Sequence, residues 1–278
     1  MPMRRFPELD SDEIGVTRDA LHAYSKVLGD WLKTVRSKRK HWWHASLRLS
    51  VRGLTTGVVR AATDFEVELD LIASRLRVRT APMNLDLELR GQPAADVASW
   101  LHDTLSDVGV DSGHAPTEPE EGSAGFPGYV PVQAQRLHEA FAAVAGELES
   151  FRAGIREETS PVQVWPHHFD LSMIWLPGPR IEGQDPANEE YADKQMNFGF
   201  VFGDDSIAVP YLYITAYPLP DVLPTIALPT GTAWKSDGFN GAVLLYDDLV
   251  AKPDPSVYLQ DLWARLLEEG RGHFLETG

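Results

Sequence analysis

Histidine and aspartate residues near tryptophans are the side chains of this sequence best suited to chemistry. His44 follows two tryptophans directly, and His168 and Asp170 come a few residues after Trp165. Side chains alternate along a strand, so a strand over residues 162–174 would project His168 and Asp170 to the same face. We therefore predict His44, His168 and Asp170 as the acid–base groups of a catalytic site.

The same three residues are also the predicted ligands of a divalent metal. The chain contains no cysteine, which leaves imidazole and carboxylate groups as the strong ligands. Two or three histidines with one carboxylate suit zinc or iron and leave coordination positions open for a substrate. The alternative is that buried histidines beside tryptophans hydrogen-bond to backbone and carboxylate groups, which is the commoner arrangement.

Tyrosines supply a second candidate site. A strand ending at Tyr217 would place Tyr211, Tyr213 and Tyr217 on one face and aliphatic residues on the other. One interpretation is a strand covered on both faces; the other is a tyrosine-lined ligand site to which Trp43 and Tyr191 also contribute.

A long loop over residues 177–197 is rich in glycine, proline and acidic residues. It follows the predicted histidine strand, so it could close over that site. Arg180 would then orient an anionic substrate group, and Asp193 or Glu190 would act as a ligand or general base. A solvated acidic loop is the alternative interpretation.

Periodic apolar residues define the elements that must position these side chains. Residues 12–38 and 137–155 repeat apolar positions every three or four residues and are predicted helices. Alternating positions predict strands near residues 47–51, 65–71, 76–78 and 85–89. Shorter helices are predicted to end at Gly109 and, over residues 256–269, at Gly270.

A charge ladder predicts one hairpin of the first sheet. Glu66, Glu68 and Asp70 occupy alternate positions of one predicted strand, and Arg75, Arg77 and Arg79 occupy alternate positions of the next. Opposite charges on neighbouring strands favour antiparallel pairing, here on a solvated face.

The order of elements repeats along the chain: a long helix, a Trp/His segment, several strands and a shorter helix. We therefore predict an α+β fold of two pseudo-repeated helix/antiparallel-sheet/helix units packed together, which a pseudo-twofold axis could relate. The predicted units are residues 1–110 and 131–278, and residues 111–130 form a Gly/Pro/Ser/Glu-rich linker within one globule.

Composition restricts the partners. A formal net charge of −16 disfavours binding to nucleic acid, and no apolar stretch approaches the length of a membrane span. The sequence has no glycine-rich phosphate loop, so no nucleotide cofactor is expected. We expect a cytoplasmic protein whose partner is a small molecule; the sequence does not fix its oligomeric state.

Five segments resemble a bacterial family called domain of unknown function 5996 (DUF5996). They are His41-Trp42-Trp43-His44, Arg52-Gly53-Leu54-Thr55-Thr56, Ser160-Pro161-Val162, Phe169-Asp170-Leu171 and Tyr217-Pro218-Leu219-Pro220. The resemblance extends over nearly the whole chain and implies no reaction, because the family carries no established activity. Where relatives resemble Tyr-Ser-His-Glu this chain has Tyr191-Ala192-Asp193-Lys194, and Pro177-Gly178-Pro179-Arg180 replaces a Ser-Gly-Arg segment.

Three functions remain open from the sequence. The first is an enzyme that acts on a small molecule in a cleft between the repeats, through His/Asp acid–base or metal chemistry. The second is a non-catalytic protein that binds an apolar or aromatic ligand against the tyrosines. The third is an interaction protein that uses its acidic surface and its linker.

Overall fold

The long N-terminal helix α1 (Ser11–Val35) confirms the helix predicted from the apolar repeat. The Asp10 carboxylate caps it by accepting the N–H groups of Asp12 and Glu13 at 3.0 and 3.3 Å. The helix ends before the predicted residue 38 because Arg36 takes an extended conformation, with φ −108° and ψ 142°. The computed structural model describes residues 6–61, 63–110, 124–188 and 191–276.

The chain divides into two units, and each unit combines segments that are separated in the sequence. The first unit contains Leu9–Phe141 and Gln163–Phe169, and the second contains Met1–Glu8, Ala142–Val162 and Asp170–Gly278. The second Trp/His segment therefore belongs to the first unit together with the first. Most of the predicted linker, residues 111–123, lies outside the described residues.

The first unit places a five-stranded antiparallel sheet between α1 and α2 (Ala94–Asp107) in the chain. Its strands follow chain order, β1-β2-β3-β4-β5. They are β1 (Arg48–Leu49), β2 (Gly53–Thr55), β3 (Phe65–Asp70), β4 (Arg75–Thr80) and β5 (Asn84–Glu88). A 3-10 helix over Lys40–Ala45 carries the first Trp/His segment from α1 to β1.

The predicted antiparallel pairing of the two charged strands is confirmed, but the burial of the ladder differs from the prediction. Residue pairs Glu66–Arg79, Glu68–Arg77 and Asp70–Arg75 face each other across β3 and β4, as the strand pairing shows. Glu68 and Asp70 are nevertheless buried. The guanidinium groups of Arg52 and Arg77 bind Asp70, and that of Arg79 binds Glu68, so the ladder is not a simple solvated face.

The second unit is built on the antiparallel strand path β11-β12-β10-β9-β8-β6. Its strands are β6 (Glu158–Thr159), β8 (Asp170–Leu176), β9 (Gln195–Val201), β10 (Tyr211–Tyr217), β11 (Thr232–Lys235) and β12 (Gly241–Leu245). Strand β7 (Gln163–Trp165) belongs to the first unit. The helices are α3 (Pro131–Ala153), which belongs to the second unit from Ala142 on, α4 (Tyr246–Val250) and α5 (Pro255–Glu276).

Aromatic packing holds the helices of the second unit on one face of its sheet. The Phe151 ring of α3 lies 5.0 Å from Phe198 of β9 and 5.4 Å from Trp263 of α5. Trp175 of β8 lies 6.2 Å from Phe274. These contacts place α3 and α5 against the face of the sheet that carries Phe198 and Trp175.

The predicted end of the last helix at Gly270 is wrong, because α5 continues to Glu276. A Cβ atom on Gly270 would lie 2.2 Å from the Sδ atom of Met196. The glycine therefore allows α5 to approach β9 closely and is not a helix cap. Along the described residues, none of the helices has the length and apolar character needed to cross a membrane.

Candidate functional site

A face of tyrosines lies on β10, as the alternation predicted. Tyr211, Tyr213, Thr215 and Tyr217 point to one side of the strand, and the buried residues Leu212, Ile214 and Ala216 point to the helical side. Tyr213, Thr215 and Tyr217 are only partly buried. We call these four side chains, together with Asp170 and Ser172 of β8 and Asn197 and Gly199 of β9, the tyrosine face.

Tyr213 lies across a glycine of the neighbouring strand. Gly199 of β9 is its partner in the strand register, and Ser172 of β8 is the partner of Gly199. A Cβ atom on Gly199 would lie 2.3 Å from Cζ of Tyr213. The absence of a side chain at position 199 therefore lets the phenol ring extend towards β8.

Asp170 receives the hydroxyl of Tyr213. The Tyr213 hydroxyl donates a hydrogen bond to Oδ2 of Asp170, which is buried at the start of β8. Burial of the phenol, and then the negative charge of Asp170, raise the pKa of Tyr213 well above its ordinary value. Tyr213 therefore remains a protonated donor at neutral pH and orients the carboxylate.

Tyr211 forms a second tyrosine–aspartate pair that the sequence did not indicate. Its hydroxyl donates to Oδ2 of Asp204 at 2.5 Å, and burial and this carboxylate raise the pKa of Tyr211. Asp204 also accepts the N–H groups of Ser206 and Ile207, at 2.7 and 2.9 Å. The Tyr211 ring stacks on Phe239 at 6.1 Å. Asp204 thus connects this end of the tyrosine face to its own loop.

Tyr191 joins the opposite end of the tyrosine face. Its ring meets the Tyr217 ring edge-on at 5.1 Å, and Tyr191 is 46% exposed. Asn197 of β9 donates to Thr215 Oγ1 at 3.3 Å beside this pair. The exposed parts of the face are therefore aromatic rings with neutral polar groups between them.

Arg180 and Asp193 pair with each other within the long loop. They form an isolated antiparallel bridge, and their side chains approach to 3.8 Å. The N–H of Ile181 also donates to the carbonyl of Ala192 at 2.9 Å. The loop is therefore folded on itself here, and the exposed Arg180 guanidinium has an acidic partner. Glu190 lies outside the described residues.

His44 lies buried in the 3-10 helix of the first unit. Its Nδ1 accepts the backbone N–H of Arg39 at 3.2 Å, and its ring stacks on Trp42 at 5.7 Å. Trp43 has two cations over its ring, from Arg39 at 5.8 Å and Lys40 at 5.4 Å. This hydrogen bond assigns Nδ1 of His44 as an acceptor. It is the bonding to backbone that the sequence offered as the alternative to metal binding.

The predicted strand over residues 162–174 is wrong, because a turn interrupts it. Strand β7 ends at Trp165 and β8 begins at Asp170. The N–H groups of His168 and Phe169 both donate to the carbonyl of Trp165, at 3.2 and 2.8 Å. Phe169 has a φ of 53°. The alternation that placed His168 and Asp170 on one face therefore does not apply.

His168 is exposed in this turn next to His167, with ring centroids 4.4 Å apart. The Nε2 atom of His22 lies 3.1 Å from the His167 carbonyl. His167 is also exposed as a residue, yet desolvation of its ring and the charges of His168, Lys33 and His22 lower its pKa to about 4. His167 is therefore neutral at physiological pH.

The predicted metal ligands are divided between the units. His44 and His168 belong to the first unit and Asp170 to the second. In the part of the chain that the structure describes, no group of three or more His, Cys, Asp or Glu side chains is placed to hold a metal ion. The ligand set remains a prediction, which metal analysis of the purified protein and of a His168→Ala variant can test.

A small apolar notch lies on the second unit, near the end of β10. Its empty volume is about 190 Å³, and its lining includes Met196, Leu219, Leu223, Trp234 and Leu266. This figure includes open solvent, and the notch encloses no space for a water molecule, whereas small-molecule pockets typically enclose several hundred Å³. The tyrosine face is therefore the better candidate site.

The comparisons with known proteins agree with the motifs. The sequence profile of a family described as "Family of unknown function (DUF5996)" matches residues 6–269, which confirms the resemblance predicted above. No curated protein and no solved structure matches the chain.

Proposed function

This chain belongs to DUF5996, a family of unknown function, and we propose that it binds a small aromatic ligand on the tyrosine face. The observation that carries the proposal is the partly exposed ring pair of Tyr191 and Tyr217 at 5.1 Å, next to Thr215 and Asn197. Aromatic rings offer a large apolar area, and a few neighbouring polar groups can fix a ligand's orientation.

The ligand's chemistry follows from the exposed groups. The carboxylates of Asp170 and Asp204 are engaged by the hydroxyls of Tyr213 and Tyr211. Among the described residues, the groups next to the Tyr191 and Tyr217 rings on β9 and β10 are the neutral side chains of Asn197 and Thr215. A neutral planar molecule with a hydrogen-bonding edge therefore suits it better than a strongly charged one.

Titration with indole, phenol and the non-aromatic cyclohexanol tests this function. We expect the two aromatic probes to bind more tightly than cyclohexanol and Tyr217→Ala to weaken indole binding by about threefold to tenfold, the effect of one aromatic contact. Tyr258→Ala is the matched control, because Tyr258 lies on α5. Equal binding of cyclohexanol, or an equal loss in the control, would reject the proposal.

An acid–base enzyme is the second candidate, and the Tyr213–Asp170 hydrogen bond favours it. A buried carboxylate oriented by a phenol is suited to accept a proton from a bound substrate. His44, His168 and Arg180 stay in this proposal as the acid–base and substrate-orienting groups predicted from the sequence.

Incubation with a small-metabolite extract in D₂O, followed by proton NMR, tests the enzymatic candidate. The enzyme should convert or deuterate at least one component, and Asp170→Asn should stop that change. Identical spectra with the original protein and with the variant would eliminate this candidate.

The internal duplication is a further part of the proposal. Both Trp/His segments follow a long helix and contain non-glycine residues at positive φ, namely His41, Trp42 and Phe169. Both precede antiparallel strands and a later helix. Sequence profiles of the two halves across the family should align with these elements in register; profiles without such similarity would argue against duplication.

A further inference from the structure

A basic stretch lies within this acidic chain. Eight basic residues and no acidic residue occur between Asp30 and Asp64, although the formal net charge of the chain is −16. The basic residues are Lys33, Arg36, Lys38, Arg39, Lys40, Arg48, Arg52 and Arg60. Lys33, Arg52 and Arg60 pair with Asp30, Asp70 and Asp64, and the other five basic residues concentrate positive charge in a chain whose net charge is negative.

Two arginines of this stretch contact His44 of the first Trp/His segment. Arg36 donates through Nη1 to the carbonyl of His44 at 3.4 Å, and the backbone N–H of Arg39 donates to the His44 ring. Arg36 also donates through Nη2 to the carbonyl of Thr56. His44 therefore binds the Arg36 guanidinium through its carbonyl and the Arg39 backbone through its ring.

Arg48 completes the group from β1. Its Nη1 atom lies 3.7 Å from the position that a Cβ on Gly57 would take, and Gly57 follows the Thr56 carbonyl that Arg36 binds. Burial of the Arg36 guanidinium lowers its pKa, and the positive charges of Arg48 and Arg39 lower it further. We call Arg36, Arg39 and Arg48 the arginine cluster.

The cluster has no carboxylate partner among the described residues: none of their ion pairs includes Arg36, Arg39 or Arg48. The nearest acidic side chains along the strand register, Glu66 and Glu68, are already engaged by Thr55 and Arg79. Arg39 and Arg48 are exposed. The positive charges of Arg39 and Arg48 act on the Arg36 guanidinium, and a bound anion would relieve that repulsion.

We propose that the arginine cluster binds a small molecule that carries a multivalent oxyanion, such as a phosphate or polycarboxylate group. Guanidinium groups present paired N–H donors whose geometry matches two oxygens of such a group. Arg36 is fixed by backbone carbonyls and supplies a preorganised charge, while the exposed Arg39 and Arg48 supply donors to the anion. Trp43, under the Arg39 guanidinium at 5.8 Å, restricts the conformations of that side chain.

Calorimetric titration of the full chain with inorganic pyrophosphate and with citrate, at constant ionic strength in chloride, tests the site. We expect saturable binding of at least one anion and a weakening on the order of tenfold or more in Arg39→Ala and in Arg48→Ala, because each removes charge-assisted hydrogen bonds. Arg48→Lys should fall between, because it keeps the charge and loses the paired geometry. The preferred anion distinguishes a phosphate from a carboxylate ligand.

Arg60→Ala is the matched control, since Arg60 lies in the same basic stretch but pairs with Asp64. It should leave anion binding unchanged. Thermal unfolding provides a second measurement: pyrophosphate or citrate should raise the unfolding temperature of the original protein more than that of Arg48→Ala. The proposal is overturned if neither anion binds at millimolar concentration, or if Arg60→Ala weakens binding as much as Arg48→Ala does.

Discussion

The first sheet and the tyrosine face use their carboxylates in different ways. In the first sheet, Asp70 and Asp86 are bound by arginines of the same sheet region. On the tyrosine face, Asp170 and Asp204 are bound by phenol hydroxyls, whose rings remain part of the surface. In the first sheet the carboxylates are therefore neutralised by neighbouring arginines, whereas tyrosine pairing leaves aromatic area that a ligand can contact.

The largest effect should come from breaking the ion pairs of the first sheet at Asp70. This carboxylate is fully buried and accepts Arg52 Nε at 2.7 Å and Arg77 Nη1 at 3.2 Å. It also accepts the N–H groups of Ile72 and Ala73 in the following turn. We expect Asp70→Ala to lower the free energy of unfolding by about 3 kcal/mol, because its partners lose their compensating charge. Urea denaturation measures this.

Glu88→Ala provides the control for Asp70. Glu88 pairs with Arg90 at 2.7 Å, and both side chains are at least half exposed. Its urea midpoint should remain that of the original protein, because exposed ion pairs contribute little. An equal loss in both variants would show that burial does not distinguish the network around Asp70.

The second unit has a strong ion pair of its own, away from the tyrosine face residues. Arg271 of α5 binds both oxygens of Glu157 at 2.8 Å, and this hydrogen bonding lowers the pKa of Glu157 from 4.5 to about 2. Because the folded-state pKa is depressed, the pair stabilises the fold above about pH 4.5, and this contribution is lost as the pH falls towards 2.

Glu157→Gln should therefore cost about 2 kcal/mol at pH 7, after allowance for partial solvent screening. It should also flatten the dependence of stability on pH between 4.5 and 2. Urea midpoints at several pH values check both effects. Glu268→Gln is the control, because Glu268 contacts the same Arg271 but is 75% exposed; a similar flattening in that variant would contradict the assignment to Glu157.

The tyrosine face should respond to a single added methyl group at Gly199. A Cβ there would lie 2.3 Å from Tyr213 Cζ, so the ring must move away from Asp170. We expect Gly199→Ala to lower the free energy of unfolding by about 2 kcal/mol, a typical cost of overpacking. In the Gly199→Ala, Tyr213→Ala double variant, the loss of stability should be smaller than the sum of the two single losses. The reason is that Tyr213→Ala removes the ring with which the new methyl group would clash.

Gly146→Ala gives the opposite sign in the same experiment. Gly146 lies inside α3 with no neighbouring atom within 4 Å of the added Cβ. Alanine favours a helix over glycine by about 1 kcal/mol, so this variant should be more stable than the original protein. If Gly146→Ala lowered the stability as much as Gly199→Ala, the loss at Gly199 could not be assigned to the clash with Tyr213, because the added methyl group at Gly146 meets no neighbour.

The sequence predicted those parts of both sheets that burial controls directly. The sequence predicted the apolar repeats of α1 and α3, the antiparallel pairing of β3 with β4, and the alternation of the tyrosines, and these patterns reflect which side of an element is buried. Such patterns depend only on neighbours one helical turn or two strand residues away. They were therefore readable without knowledge of tertiary contacts.

The missed features depend on contacts or conformations that leave no periodic signal. The turn before Asp170 uses Phe169 at positive φ, where the sequence has no glycine to indicate it. Asp204 reaches Tyr211 from a loop, and Gly270 faces Met196 across two elements. A glycine at a helix end and a glycine at a close approach have the same sequence signature, so only the structure distinguishes them.

The smallest effect separates the support of the tyrosine face from its contact surface. Tyr211→Phe removes the hydrogen bond to Asp204 but keeps the ring that stacks on Phe239. We expect a loss of about 1 kcal/mol in the free energy of unfolding and unchanged indole binding. Tyr217→Ala, at the more exposed end, should instead weaken indole binding more than it lowers stability. If Tyr211→Phe weakens indole binding as strongly as Tyr217→Ala, the contact surface extends over both ends of β10 and the division proposed here is wrong.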